Sequence, residues 1–293
     1  MLASISNCPI CESTDQTHQL DCKDNLVSGE VFSIQKCSNC GFQFTNPRPS
    51  KEKIAKYYKS DSYVSHSNKS NSLINLIYRL VRKYTLYHKL QMINRFATQG
   101  SLLDYGCGTG HLVNYALSKG WQVTGVEPDP DARKIAAASI GEKNVFASMD
   151  ALKDKVFNVV TLFHVLEHIH DLIPTVKKLV ESLSDQGILI VAVPNHNSYD
   201  AQKYKADWAA YDVPRHLYHF DSNSVSSLAK KNGLKVVAQL PMHFDSYYVS
   251  LLTEKNQENK FYPLAGMYNG FVSNIKAKST KEYSSLIYVL QKK

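Results

Sequence analysis

Apolar and polar positions change their period several times along the chain. From Ser72 to Phe96 apolar residues recur at Leu73, Ile77, Leu80, Tyr84 and Tyr87, while Arg79, Arg82, Lys83 and Lys89 fall largely off that stripe, which predicts an amphipathic helix. Short apolar runs follow at Ser101–Tyr105, Trp121–Val126, Val156–Phe163, Gly187–Val193, Gly233–Ala238 and the final SLIYVLQKK. Their length and content predict buried strands. Between them His111–Lys119, Asp171–Leu183 and Asn223–Asn232 carry the helical period. Strands alternating with helices predict an α/β fold built on a doubly wound sheet.

The first forty-five residues follow neither period. Cys8-Pro-Ile-Cys11 and Cys37-Ser-Asn-Cys40 are two C-x2-C pairs, each close to turn-forming residues and separated by 25 positions. That spacing predicts a zinc ribbon in which four thiolates close a structural Zn2+ site, because so short a segment has too little core to fold without a staple. Cys22 and His18 lie between the pairs without ligand spacing. Asn46-Pro47-Arg48-Pro49-Ser50 breaks regular structure, and Tyr57, Tyr58 and Tyr63 follow on an expected short helix. The chain then divides into a zinc-ribbon module over 1–50, a helical linker over 51–98 and a main domain over 99–293.

With 293 residues and six cysteines, the chain can bury a full core, and its thiols are expected to be reduced or metal-bound. No run approaches the roughly 20 apolar residues of a membrane span, and MLASISNCPICES lacks a secretory pattern, so the expected location is the cytoplasm. The net charge of +8 suits an acidic partner. The lysines are scattered, however, which argues against a nucleic-acid surface.

Candidate chemistry begins where Ser101-Leu-Leu-Asp104-Tyr105 runs into Gly106-Cys107-Gly108-Thr-Gly110 and a helix, and where the next strand ends at Glu127-Pro128. Glycines at a strand-to-helix turn let backbone approach a ligand, and an acid at the tip of the second strand can accept both hydroxyls of a ribose. LLDYGCGTG followed by VTGVEPD resembles the first two motifs of class I S-adenosylmethionine-dependent methyltransferases, over roughly residues 100 to 240. The resemblance implies a Rossmann-like seven-stranded sheet with helices on both faces and an antiparallel last strand. It also implies that Asp104 and the glycine loop, Gly106, Cys107, Gly108 and Gly110, hold the methionine end of S-adenosylmethionine. Glu127 with Pro128 would hold the ribose, and Asp150 with Ala151 and Phe163 would complete the pocket.

His164-Val-Leu-Glu167-His168 matches a zinc-peptidase signature, H-x-x-E-H, yet it directly follows a strand, in a chain whose glycine loop serves another cofactor. A VLEH sequence stands after the fourth strand in many methyltransferases. One reading makes a histidine among His168, His216 and His219 the general base, since neutral imidazole suits removal of a hydroxyl proton. Another places His164, Glu167 and His168 with His216 or His219 around a divalent ion. Trp208–Asp221 forms an aromatic insertion, near 196–221, in which Trp208, Tyr211, His216, Tyr218 and His219 are expected to build the acceptor pocket. TEKNQENK, residues 253–260, reads as a solvated connection.

A zinc ribbon joined to this core is similar to bacterial sugar-tailoring methyltransferases, including deoxysugar C-methyltransferases that begin with two C-x2-C pairs. The expected reaction is methylation of a hydroxyl on a small-molecule acceptor such as a nucleotide sugar or glycan precursor. The alternatives are RNA methylation, with or without a metal, and a non-catalytic interaction protein.

Overall fold

The computed structural model describes residues 2–58 and 73–293, with side chains of the long helix from Leu80 onward. Tyr63 and Ser72, and the side chains of Leu73, Ile77 and Arg79, lie outside the described residues. In chain order the elements are β1 (Leu2–Ala3), β2 (Gln16–Lys23), β3 (Val31–Cys37), β4 (Gln43–Thr45), β5 (Arg48–Pro49), α1 (Leu73–Phe96), β6 (Ser101–Tyr105), α2 (His111–Leu117) and β7 (Gln122–Val126). Then come α3 (Pro130–Ile140), β8 (Val145–Phe146), β9 (Phe157–Phe163), α4 (Leu172–Glu181), β10 (Leu183–Pro194), α5 (Tyr199–Tyr204) and β11 (Tyr218–His219). The chain closes with α6 (Ser222–Lys231), β12 (Leu234–Pro241), α7 (Asp245–Asn256), α8 (Tyr262–Thr280) and β13 (Ser285–Lys292).

The expected doubly wound α/β sheet is present. Seven strands order as β12-β13-β10-β9-β6-β7-β8, and β6 pairs in parallel with both β7 and β9. The chain therefore winds from β6 outward through β7 and β8, then returns to β9 on the other side of β6. In open α/β sheets ligands bind in the crevice outside the carboxyl ends of the strands at such a reversal. Strand β10 starts four residues before the predicted Gly187, because Asp185 and Gln186 are exposed polar positions that hydropathy cannot score as strand.

The chain resolves into two compact units. One contains the described residues of 65–163, 175–190 and 289–293, and the other those of 1–64, 164–174 and 191–288. In the first, Leu102, Leu103, Val159, Val160 and Leu162 form a buried strand core.

In the second unit a four-stranded sheet orders as β11-β4-β3-β2. Strand β11 pairs antiparallel with β4, Tyr218 opposite Phe44, so a piece of the insertion completes the N-terminal sheet. Phe32, Ile34, Tyr57, Trp208, Tyr211 and Val249 share one core against it. The insertion aromatics Trp208, Tyr211 and Tyr218 are thus core side chains, 2%, 6% and 2% exposed. Arg215, 1% exposed, fastens the same layer: it donates to Asp24 at 2.9 Å, to Asp212 at 2.6 Å and to the Tyr57 carbonyl at 2.8 Å.

Residues 253–256 of the expected connection lie inside α7 instead. Helices α7 and α8 pack closely through Gly266 and Gly270, where an added Cβ would stand 2.6 Å from Leu251 Cα and 2.7 Å from Tyr247 Cα. Among the described residues no helix is long and apolar enough to cross a membrane.

Candidate active site

The residues expected around the cofactor belong to the first unit and gather at the carboxyl ends of β6, β7 and β9. Asp104, 5% exposed, accepts from the Thr161 hydroxyl at 2.6 Å, a bond between directly paired positions of β6 and β9. Burial pushes the Asp104 carboxyl up to about 6, against the Thr161 hydrogen bond and the charge of Lys89, with Glu127 adding repulsion. The loop that follows is left-handed at each glycine, with φ of 76° at Gly106, 53° at Gly108 and 81° at Gly110. Among the described residues a Cβ at Gly108 would meet nothing within 4 Å, so these residues leave space beside the loop backbone. At Gly110 a Cβ would stand 2.9 Å from that of Ala136, which requires glycine twice over.

Glu127 accepts from the Gly108 amide at 2.8 Å and from the Asp129 amide at 2.9 Å, one carboxylate oxygen to each. The carboxylate is thereby fixed beside the glycine loop. Pro128 is exposed, and its carbonyl accepts from Arg133 at 2.8 Å. Cys107 is buried, with Sγ 2.6 Å from where a Cβ on Gly125 would lie, and burial pushes its thiol up to about 12. It is a packed filler whose backbone belongs to the loop. Asp150 and Ala151 occupy a 3-10 turn, with Asp150 paired to Lys178 at 2.7 Å. Phe163 ends β9 with the Lys89 ammonium 3.9 Å from its ring centroid. Thr161 and Lys89 were not singled out by sequence. A buried threonine in register with an acid would have been visible only with the strand pairing known.

The histidines belong to the second unit. His168 and His216 face each other with ring centroids 4.6 Å apart. One nitrogen of each lies within 4.8 Å of the other and of a Glu167 oxygen. His168 Nδ1 stands 3.1 Å from the Arg215 carbonyl and 2.9 Å from the Tyr58 hydroxyl. His216 Nδ1 donates to the Ala210 carbonyl at 2.8 Å. Since a carbonyl can only accept, Nδ1 carries the proton in His216, which leaves its Nε2 with a lone pair. Burial, and next the neighbouring His216, hold His168 down at about 4.

His219 lies apart from that group. It is 4% exposed in β11, its Nε2 is 3.0 Å from Thr45 Oγ1, and burial holds it well below the ordinary histidine range. His164 has a φ of 56° and sits between two carboxylates, 2.9 Å from Asp245 and 3.4 Å from Glu167. Burial opposes its charge, but Asp245 outweighs it and His164 is raised to about 10. Asp245, from the unpredicted α7, was invisible to the sequence reading.

Cys8, Cys11, Cys37 and Cys40 converge, their sulfurs within 4.8 Å of one another, with Cys8–Cys40 at 3.6 Å and Cys11–Cys37 at 3.5 Å. Each pair sits on a tight turn: the Glu12 amide donates to the Cys8 carbonyl and the Gly41 amide to that of Cys37, both at 2.9 Å. Four thiolates at about 2.3 Å from a tetrahedral ion stand roughly 3.8 Å apart, so the donor set and its spacing fit a closed zinc site.

Among curated proteins, the chain is 26% identical over 137 residues to an uncharacterized methyltransferase of Staphylococcus carnosus, which covers 44% of this chain and 63% of that one. It is 28% identical over 130 residues to a ubiquinone biosynthesis O-methyltransferase of Rhodopseudomonas palustris, covering 41% of this chain and 51% of that one. The chain thus spans between half and two thirds of these relatives. A solved S-adenosylmethionine-dependent methyltransferase from Archaeoglobus fulgidus aligns with 72% of this chain and 94% of its own, at 18% identity and a TM-score of 0.49. The family model described as "Methyltransferase domain" matches residues 78–239, more than half of the chain. On that match the protein belongs to the methyltransferase-domain family.

Proposed function

We propose that the protein transfers the methyl group of S-adenosylmethionine to a hydroxyl of a small-molecule acceptor, and that the proton is removed at the His168–His216–Glu167 group. The observation that carries this reading is the pairing of His168 and His216 beside the buried Glu167, with the His216 Nε2 lone pair set by the Ala210 carbonyl. Asp104 and the 106–110 loop would hold the methionine end of the cofactor, Glu127 the ribose, and Asp150 with Ala151 and Phe163 the remainder of the pocket. The space that the described residues leave beside Gly108 and the fixed Glu127 carboxylate fit that role.

Methyl transfer from a sulfonium is an in-line displacement on an activated carbon, so the protein chiefly aligns donor and acceptor and disposes of one proton. In the chain, Phe163 at the end of β9 is followed directly by His164-Val-Leu-Glu-His168, which ties the cofactor strand covalently to the histidine segment. The four cysteines hold a structural Zn2+ that fixes the ends of β3 and the preceding loop, away from chemistry because a closed site offers no position to substrate.

The acceptor class is tested by incubating the protein with methyl-labelled S-adenosylmethionine and a panel of nucleotide sugars, glycan precursors and intermediates of ubiquinone biosynthesis. Label on an oxygen of one of these supports the reading. Label confined to nitrogen or carbon atoms, or to RNA, would overturn it.

A further inference from the structure

We propose that Glu167, His168 and His216 form a divalent-cation site with open coordination positions, at which the acceptor hydroxyl binds as an oxygen ligand. Its catalytic half rests on the function proposed above; the cation site itself stands on the geometry of the second unit alone.

The first observation is Glu167. Its side chain is 0% exposed, and among the described residues neither carboxylate oxygen accepts a well-formed hydrogen bond. Burying a carboxylate in that state is costly unless a cation completes it. The nearest cationic candidate, His164, lies 3.4 Å from Oε1 but is 2.9 Å from Asp245 as well. Even fully protonated, one imidazolium shared by two carboxylates leaves the group net negative.

The second observation is the orientation of the imidazoles. A ligating histidine characteristically donates its other ring N–H to a backbone carbonyl or carboxylate, which fixes the ring and its tautomer. His216 does so to Ala210, and His168 Nδ1 stands 3.1 Å from the Arg215 carbonyl. The carbonyls come from the same insertion that carries His216, so the scaffold for one ligand orients the other. Asp212 Oδ2 stands 3.9 Å from His216 Nε2 and also accepts from Arg215 at 3.1 Å, which holds it as a neighbour of the group.

Three donors within 4.8 Å need only small side-chain movement to reach the roughly 3 to 4.2 Å separations that donors bound at about 2.1 Å require. Two imidazole nitrogens and a carboxylate oxygen suit a first-row divalent ion such as Mn2+, Fe2+, Co2+ or Zn2+, and three protein ligands leave positions for substrate or water. A cation there lowers the pKa of a coordinated hydroxyl. With the ion bound the imidazoles serve as ligands and not as bases, so the hydroxyl's proton leaves from this same group to solvent and the oxygen's electron pair forms the O–CH3 bond. The C–S bond breaks at the same time, and sulfur keeps that pair as a neutral thioether. His219 and His164 take no part as ligands, being committed to Thr45 and to Asp245.

The test uses full-length protein dialysed against a chelator until one zinc per chain remains, then titrated with Mn2+ while the free-ion electron paramagnetic resonance signal is followed. One Mn2+ per chain is expected, with affinity reduced about tenfold or more in Glu167→Gln and in His216→Ala. His219→Ala, folded and zinc-loaded, is expected to bind like the parent. Absence of Mn2+ binding, or binding unchanged by Glu167→Gln and His216→Ala, overturns the site. S-adenosylhomocysteine binding measured on the same samples separates the two claims: cofactor binding without Mn2+ refutes the cation site and leaves the methyltransferase reading intact, whereas Mn2+ binding without cofactor binding does the reverse.

Discussion

His168 and His216 meet edge to face, 4.6 Å between ring centroids and 79° between planes, each with Nδ1 beside a backbone carbonyl. The bond to Ala210 pre-sets His216 to offer Nε2, whether to a proton or to an ion. Replacing either one singly by alanine is expected to lower methyl transfer by roughly 100-fold or more, the usual scale of a lost proton-transfer group. S-adenosylhomocysteine affinity should stay unchanged in both variants, and steady-state kinetics beside calorimetry reads the two effects apart. Normal turnover in both variants would contradict the role assigned to the pair.

Arg215 is a buried cation bonded to Asp24 from the N-terminal sheet and to Asp212 from the insertion. Removing one partner of such a pair strands the others without compensation. Arg215→Met is therefore expected to destabilise the protein by about 3–5 kcal/mol, measured by urea unfolding. Methionine keeps much of the volume, so a small loss would mean that the charge network contributes little.

The cysteine site predicts one tightly held zinc per chain by elemental analysis. Cys37→Ser or exhaustive chelation should remove it and cost the N-terminal sheet its order, read as lost amide protection in β2 and β3. Metal-free protein with unchanged protection would show that the four thiols need no ion.

Asp104 gives the protein a pH signature. Its folded pKa is raised from 3.8 to about 6, so the folded state binds the proton more tightly than the unfolded chain does. The sign follows: this group costs nothing below about pH 4, and its penalty grows as pH rises through 6, reaching on the order of 3 kcal/mol. Cofactor-free protein should lose that stability between pH 4 and 7 relative to Asp104→Asn, which keeps the shape without the charge. Parallel unfolding curves for the two proteins at every pH would contradict it.

Six of the seven strands of the main sheet, with helices α2, α4 and α6, were legible because their apolar positions face the core with regular periods, whereas the two-residue β8 and the preceding α3 were not. The α7–α8 pair was not, and its burial explains why. Gly266, Asn269, Gly270, Ser273 and Ala277 face inward on α8, whereas Leu264, Met267, Tyr268 and Phe271 are exposed. The inner face of α7 likewise carries Ser246, Ser250, Thr253 and Glu254; Ser246 donates to the Gly270 carbonyl at 3.1 Å, and Asn269 donates to Glu254 at 2.7 Å. A hydropathy pattern inverted in this way cannot announce a core-packed helix. Within the candidate site, glycine loop, acids, histidines and cysteines were legible because their chemistry is local in sequence. Thr161, Tyr58 and Asp245 were not, since each acquires its meaning from a partner brought close only by the fold.

The proposed cofactor site comprises Asp104, the glycine loop and Glu127. Calorimetric titration of zinc-loaded protein with S-adenosylhomocysteine, beside Asp104→Ala and Glu127→Ala, tests it most directly. Saturable one-to-one binding that both substitutions weaken at least tenfold is the predicted result. Absence of binding by well-folded protein, or equal binding by all three, would contradict it.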